Sequence, residues 1–154
     1  MSIKLQPVTA GNWRALVKLK VREDQNRFVA SNLYSIAEAQ FGFEFEGDRW
    51  NLCPFGAYLG EEPVGFVMYS PNCNHSRFQA FIMRLMVDDK FQGRGYGREI
   101  MKQVLDVLRT DDRIINVGIS YEPENEVARK LYANLGFVEP GVMLEDEVLA
   151  VLKL

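Results

Sequence analysis

The sequence predicts one mixed α/β domain. Three observations carry that prediction. Short strand-like runs alternate with helix-patterned stretches, and a glycine-rich turn joins a long apolar run to an amphipathic helix. A chain of 154 residues with 47% hydrophobic content can also bury one substantial core and has no room for a second full domain. The domain is therefore expected to span residues 1–154, without internal repeats or low-complexity linkers.

Residues 3–8 read as a first strand, and residues 12–21 have helical spacing with Asn12 as the N-cap. Ser31 starts a second helix that runs through Tyr34, Ile36, Ala37 and Ala39 to about Phe41, where Gly42 ends the pattern. Residues 43–51 are aromatic and acidic and are expected to be irregular, as part of a wall facing a ligand. Residues 55–59 and 64–70 flank the turn Gly60-Glu61-Glu62-Pro63 as a hairpin, and residues 78–87 form a longer buried strand. Between these strands, residues 70–76 are a cluster of turn formers that makes His75 a loop residue. Residues 98–109 carry Ile100, Met101, Val104, Leu105 and Leu108 on one side of a helix. A strand at 114–120 precedes a short helix capped by Asn125 and stopped by Gly136, whose buried stripe is expected to be Val127, Leu131 and Leu135. Strands at 137–141 and 148–154 close the chain around the acidic turn Glu145-Asp146-Glu147.

Composition removes several classes of function. A formal charge of −3 and a pI near 5.3, with no run of Lys or Arg, argue against nucleic-acid binding and weakly favour a cationic substrate. No apolar run approaches the roughly 20 residues needed to span a bilayer. Met1-Ser2-Ile3-Lys4 leads straight into strand-like sequence with no signal-peptide core, so the expected compartment is the cytoplasm. Cys53 and Cys73 form no Cys-x-x-Cys pair and are expected to be reduced thiols. With one histidine, a serine hydrolase triad would have to be built on the His75 loop, and a Cys73/His75 metal site lacks further ligands, so no metal is expected.

The chemistry concentrates in Gln92-Gly93-Arg94-Gly95-Tyr96-Gly97-Arg98. Three glycines at alternate positions on a strand-to-helix turn let the backbone lie flat against a ligand and aim amide N–H groups at it. The helix N-terminus adds partial positive charge, which suits a pyrophosphate. A nucleotide P-loop would need Gly-x-x-x-x-Gly-Lys-Ser/Thr, and a dinucleotide fingerprint Gly-x-Gly-x-x-Gly, where this chain has Arg98. The remaining pattern, Gln92-x-x-Gly95-x-Gly97, resembles the acetyl-coenzyme A pyrophosphate loop of the GNAT superfamily of N-acetyltransferases. In residues 125–137, Asn125, Ala128 and Tyr132 align on one side of the helix, and small Ala128 allows close approach of a ligand. This segment resembles the family's second coenzyme A motif, with an Asn near the helix start and a Tyr as general acid.

The resemblance implies a mixed, mostly antiparallel twisted sheet, splayed between strands four and five and flanked by helices. Acetyl-coenzyme A would enter the notch between residues 78–87 and 114–120. Its implied contacts are the main chain of Leu85, Met86 and Val87, the turn Gln92, Gly93, Arg94, Gly95, Tyr96, Gly97 and Arg98, and then Asn125, Ala128 and Tyr132. Tyr132 is the implied catalytic acid. An ordinary phenol, with pKa about 10, is protonated at neutral pH and can donate toward a thiolate whose conjugate acid has pKa about 8.5. No histidine is suitably positioned as base, which leaves a Glu or water. Neither cysteine has an activating neighbour, which favours direct transfer without an acyl-enzyme.

Residues 19–32, with Tyr34 and Glu38, and residues 83–88 extend the resemblance to the bacterial spermine/spermidine N-acetyltransferase group. The implied acceptor is a polyamine held by spaced carboxylates and aromatic walls, and Glu23, Tyr34, Glu38 and Glu44 are the expected contacts. Met83 and Arg84 stand where animal diamine acetyltransferases carry paired acids. A protein or peptide N-acetyltransferase and a non-catalytic acyl-coenzyme A binding module are the alternatives. Family analogy also implies a homodimer.

Overall fold

The computed structural model describes residues 2–154. The strands are β1 (Ile3–Pro7), β2 (Phe43–Phe45), β3 (Asp48–Trp50), β4 (Cys53–Leu59), β5 (Glu62–Ser70), β6 (Ala80–Val87), β7 (Asn116–Tyr121), β8 (Met143–Leu144) and β9 (Glu147–Lys153). The α-helices are α1 (Trp13–Leu16), α2 (Asn32–Phe41), α3 (Tyr96–Leu108) and α4 (Glu126–Asn134). Seven strands form one sheet in the order β1, β4, β5, β6, β7, β9, β8, while β2 and β3 make a separate hairpin.

All pairings in the main sheet are antiparallel except β6 with β7, which is parallel and covers only Ala80–Ile82 against Val117–Ile119. Beyond Ile82 the two strands separate, which is the expected splay between the fourth and fifth strands of this sheet. The sheet divides the interior into two cores. On one face Ile100, Met101, Val104 and Leu108 of α3 and Tyr132 of α4 pack with Val117, Ile119 and Tyr121 of β7. On the other, Trp50, Phe66, Phe78, Phe81 and Leu149 pack with Ile36 and Ala39 of α2 and with Phe43 and Phe45 of the hairpin. All five apolar positions expected on the α3 stripe are buried. Ser31 caps α2 by accepting from the Tyr34 amide, and Gly42 ends it at φ 112°.

Four local expectations are corrected. The helix expected over residues 12–21 is the single turn α1, because Asn12 spends its side chain on the chain before it, accepting from the Thr9 amide at 2.7 Å and donating to the Pro7 carbonyl at 3.0 Å. A 3-10 helix, Glu23–Phe28, follows instead. Residues 43–51 are not irregular: Glu46 (φ 50°) and Gly47 (φ 79°) form a turn with two positive φ angles that closes β2 onto β3. Residues 137–141 make only an isolated bridge from Val138 to Val151, and the short β8 takes the strand role beside β9. In α4 the inward face is the Tyr132 side; Val127 is 66% exposed, and Leu131 and Leu135 are half-buried. Among the described residues no helix is long and apolar enough to cross a membrane.

Candidate active site

The glycine-rich turn runs from the end of β6 into α3. Gly93 (φ 76°) and Gly95 (φ 83°) occupy the left-handed region that glycine enters at little cost. A Cβ built at either position meets nothing within 4 Å, so the protein leaves the space beside them open. No backbone amide from Gly93 to Arg98 donates a hydrogen bond to another described residue, and Glu99 is the first in α3 with a partner, the Gly95 carbonyl at 3.2 Å. A run of unmatched donors at a helix N-terminus suits an anion.

Gln92 anchors this turn. Its Nε2 donates to the Val87 carbonyl at 2.9 Å and to Gln25 Oε1 at 2.8 Å, tying the turn to both β6 and the 3-10 helix. Arg94 is directed away from the central cavity: its guanidinium donates to the Lys90 carbonyl at 3.2 Å and lies 5.6 Å from the Phe91 ring centroid. Along the splayed part of β6, the Asp88 amide donates to Val64 of β5 at 2.8 Å, so alternation turns the main chain of Met86 toward β5 and that of Leu85 and Val87 toward the notch. The main chain of Met86 is thereby paired with β5, and the Val87 carbonyl is already accepting from Gln92.

Across the notch, Asn125 caps α4 by accepting from the Ala128 amide at 3.2 Å. One turn on, Tyr132 is buried between Tyr121 and Phe137, with ring centroids 5.5 Å and 6.0 Å away. Burial first, and then the nearby Tyr121 and Glu147, push its phenol well above the ordinary tyrosine range, and no hydrogen bond holds it. The group is a protonated donor directed at a cavity. Tyr121 is fixed by donating to Glu139, which also accepts from Arg129 Nε at 2.8 Å; burial and that carboxylate push the Tyr121 phenol up to about 12. This triplet binds α4 to β7.

A cavity of about 920 Å³ occupies the splay and reaches both faces of the sheet. It is lined by the turn, by Asn125, Ala128 and Tyr132, and on the α2 side by Tyr34, Glu38 and Glu44 together with Phe43, Phe45 and Trp50. Glu23 is exposed on the 3-10 helix and does not line the cavity, which removes it from the expected set. Glu38 is not a free acid either, since it accepts from Arg84 Nη2 at 2.9 Å. Neither Cys53 nor Cys73 lines the cavity, and burial pushes the Cys73 thiol up to about 11. His75 stacks on Phe78 with centroids 4.1 Å apart, in the loop before β6.

Two contributors were not legible beforehand. Gln25 sits in a 3-10 turn without periodicity. Glu147 belongs to a stretch that reads as an acidic turn, yet it opens β9, lines the cavity and accepts from Ser120 Oγ at 2.8 Å. The pairing of 114–120 with 148–154 was the available signal, because a strand-closing acid beside a strand-ending serine faces the same side.

A family model described as "Acetyltransferase (GNAT) family" matches residues 13–137. The chain is 26% identical over 141 residues to the spermine/spermidine N(1)-acetyltransferase of Bacillus subtilis (strain 168), covering 89% of this chain and 88% of that protein. Among solved structures, the PaiA N-acetyltransferase of Thermoplasma acidophilum in complex with coenzyme A superposes with a TM-score of 0.71 at 16% identity, over 100% of both chains. The spermidine N-acetyltransferase of Vibrio cholerae in complex with coenzyme A and spermine gives a TM-score of 0.72 at 17% identity, over 99% of this chain and 95% of that one.

Proposed function

The chain belongs to the acetyltransferase (GNAT) family and is an acetyl-coenzyme A-dependent N-acetyltransferase, and from that premise we propose that its acceptor is a primary amine of a polyamine such as spermine or spermidine. One observation carries the reading. A single cavity joins a turn of unmatched amides, a protonated Tyr132 and a wall of acids and aromatic rings. The relative that matches nearly the whole chain is named for the same acceptor class.

The residues fit the coenzyme. The amides from Gly93 to Arg98 would take its pyrophosphate, and the main chain of Leu85 and Val87 at the free edge of β6 would meet its pantetheine arm. Bound there, the coenzyme supplies a thioester carbonyl and a thiolate leaving group. Ala128 leaves room beside Tyr132 for that thioester, and Asn125 holds the helix start in position. Tyr132 donates its phenolic proton as the carbon–sulfur bond breaks, a role that rests on its protonated hydroxyl at the cavity. With both cysteines outside the cavity, the amine attacks directly in a ternary complex.

Tyr34, Phe43 and Phe45 offer faces for an alkyl-ammonium chain, and Glu44 a carboxylate with no partner among the described residues. A thiol-release assay over an amine panel tests the reading: linear polyamines should outpace monoamines of similar length. Activity confined to peptide N-termini, or coenzyme binding without turnover of any amine, would overturn it.

A further inference from the structure

Amine acetylation must dispose of a proton that Tyr132 cannot accept. A lysine-like ammonium, with pKa near 10.4, is almost wholly protonated at neutral pH and has no lone pair for attack. The two faces of the sheet separate the available groups. Val117, Ile119 and Tyr121 of β7 face the core that contains Tyr132, so alternation directs Ser120 to the opposite face, where a Cβ on neighbouring Gly118 would strike Phe78 and Phe81. On β9, Leu149 and Val151 lie on that same opposite face, and Glu147 shares their side. The Ser120 hydroxyl and the half-buried Glu147 carboxylate are joined at 2.8 Å there, and both line the cavity beside the splay. A thioester in the notch would thus have Tyr132 on one face and Glu147 on the other.

Resting on the amine-acetyltransferase reading, we propose that Glu147 is the proton acceptor for the attacking amine, with Ser120 as its positioning residue. The charged and titratable groups that line the cavity with it include Glu145 on its own turn, Tyr121 of β7 and Glu122 just after it, Tyr132 from α4, Glu44 from β2, and the Arg84–Glu38 pair from β6 and α2. The pair is internally neutral, whereas Glu147 is a cavity carboxylate held by a neutral hydroxyl. Glu147 takes one N–H proton from the ammonium and frees its lone pair, which forms the bond to the thioester carbon while the carbonyl π pair moves to oxygen. When that pair returns, the carbon–sulfur bond breaks and sulfur receives the Tyr132 proton. The surplus proton on the new amide nitrogen returns to Tyr132 through water, and Glu147 releases its own to solvent. One proton thereby ends on sulfur and one in solution.

The test is Glu147→Gln, which keeps the size and the hydrogen bond to Ser120 but cannot take a proton. Coenzyme A affinity by calorimetry and the melting temperature should match wild type. At pH 7 kcat/KM for a polyamine should fall by about 10²-fold or more, the range for losing a general base. Only neutral amine then reacts, so the deficit should shrink about tenfold per pH unit toward pH 9. It should vanish for an amine that is already neutral at pH 7. Ser120→Ala should lose about tenfold with the same pH trend, restored by Ser120→Thr. A deficit constant across pH, or one confined to polyamine KM, would overturn the assignment and make Glu147 a binding group, while wild-type amine acetylation kept the acetyltransferase reading intact. Failure of the wild type to acetylate any amine would instead remove that reading and this inference together.

Discussion

Arg84 and Glu38 form an ion pair on the α2 side of the cavity, Nη2 to Oε1 at 2.9 Å, with only 19% and 16% of their side chains exposed. Arg84 also donates from Nη1 to the Met83 carbonyl at 2.9 Å, while its Nε is buried without a partner among the described residues. The basic residue on the strand before the turn thus finds its acid on α2. Glu38, attractive from the sequence as a cation contact, is already matched.

Removing one member of this pair leaves a poorly solvated charge. Glu38→Gln should therefore destabilise the fold by on the order of 2 kcal/mol, reduced from the fully buried range because both groups keep some water. Glu44→Gln, at an exposed position, should change stability by less than about 0.5 kcal/mol. Adding Arg84→Met to Glu38→Gln should recover part of the loss. Urea unfolding of the three variants gives the comparison, and an unaltered midpoint for Glu38→Gln would show the pair to be energetically idle.

Gly97 separates coenzyme contact from folding better than Gly95. A Cβ at Gly97 meets only Leu131 Cδ2 at 3.6 Å and Val87 Cγ2 at 3.8 Å, ordinary contacts, whereas Gly95 sits at φ 83° and any larger residue there is strained. Gly97→Val should fold and still bind coenzyme A at least about tenfold more weakly, since a branched side chain beside Leu131 and Val87 crowds the turn whose amides would take the pyrophosphate. Calorimetry on the folded variant decides. Undiminished affinity would reduce the turn to a connection.

Tyr132→Phe should keep the fold, because the hydroxyl makes no hydrogen bond and the ring remains packed on Tyr121 and Phe137. Coenzyme affinity should be nearly unchanged while kcat falls by about 10²-fold, the usual range for a lost general acid. Single-turnover kinetics separates this chemical step from product release. Equal single-turnover rates would leave Tyr132 a packing residue.

The coenzyme side was legible because its signals are local. Glycines 93 and 95 and the cap at Asn125 each meet a backbone demand within a few residues, and α3 shows its buried stripe at helical spacing. The acceptor side was less so because its partners are remote in sequence. Arg84 meets Glu38 and Gln92 meets Gln25 through tertiary packing that no periodicity announces. In α4 the periodic apolar residues misled: Val127 is 66% exposed at the open side of the cavity, and the residue the helix buries is Tyr132. The β2–β3 hairpin was readable in principle, with aromatic alternation around Glu46-Gly47, but its acidic character suggested a loop.

The acceptor preference rests on charges that water can screen. Glu44 lines the cavity beside Phe43 and Phe45 and is available for a distal ammonium, whereas Glu23 lies outside it. Glu44→Gln should raise KM for a polyamine several-fold and leave KM for a monoamine nearly unchanged, and Glu23→Gln should alter neither. Attraction at such a half-open wall is screened over about 8 Å at physiological ionic strength. Polyamine KM should therefore climb with added salt more steeply in the wild type than in Glu44→Gln, and more steeply than monoamine KM. Initial-rate measurements across a salt series supply both slopes. Equal slopes for wild type and variant would move the polyamine's second charge away from Glu44 and onto another acid of the cavity.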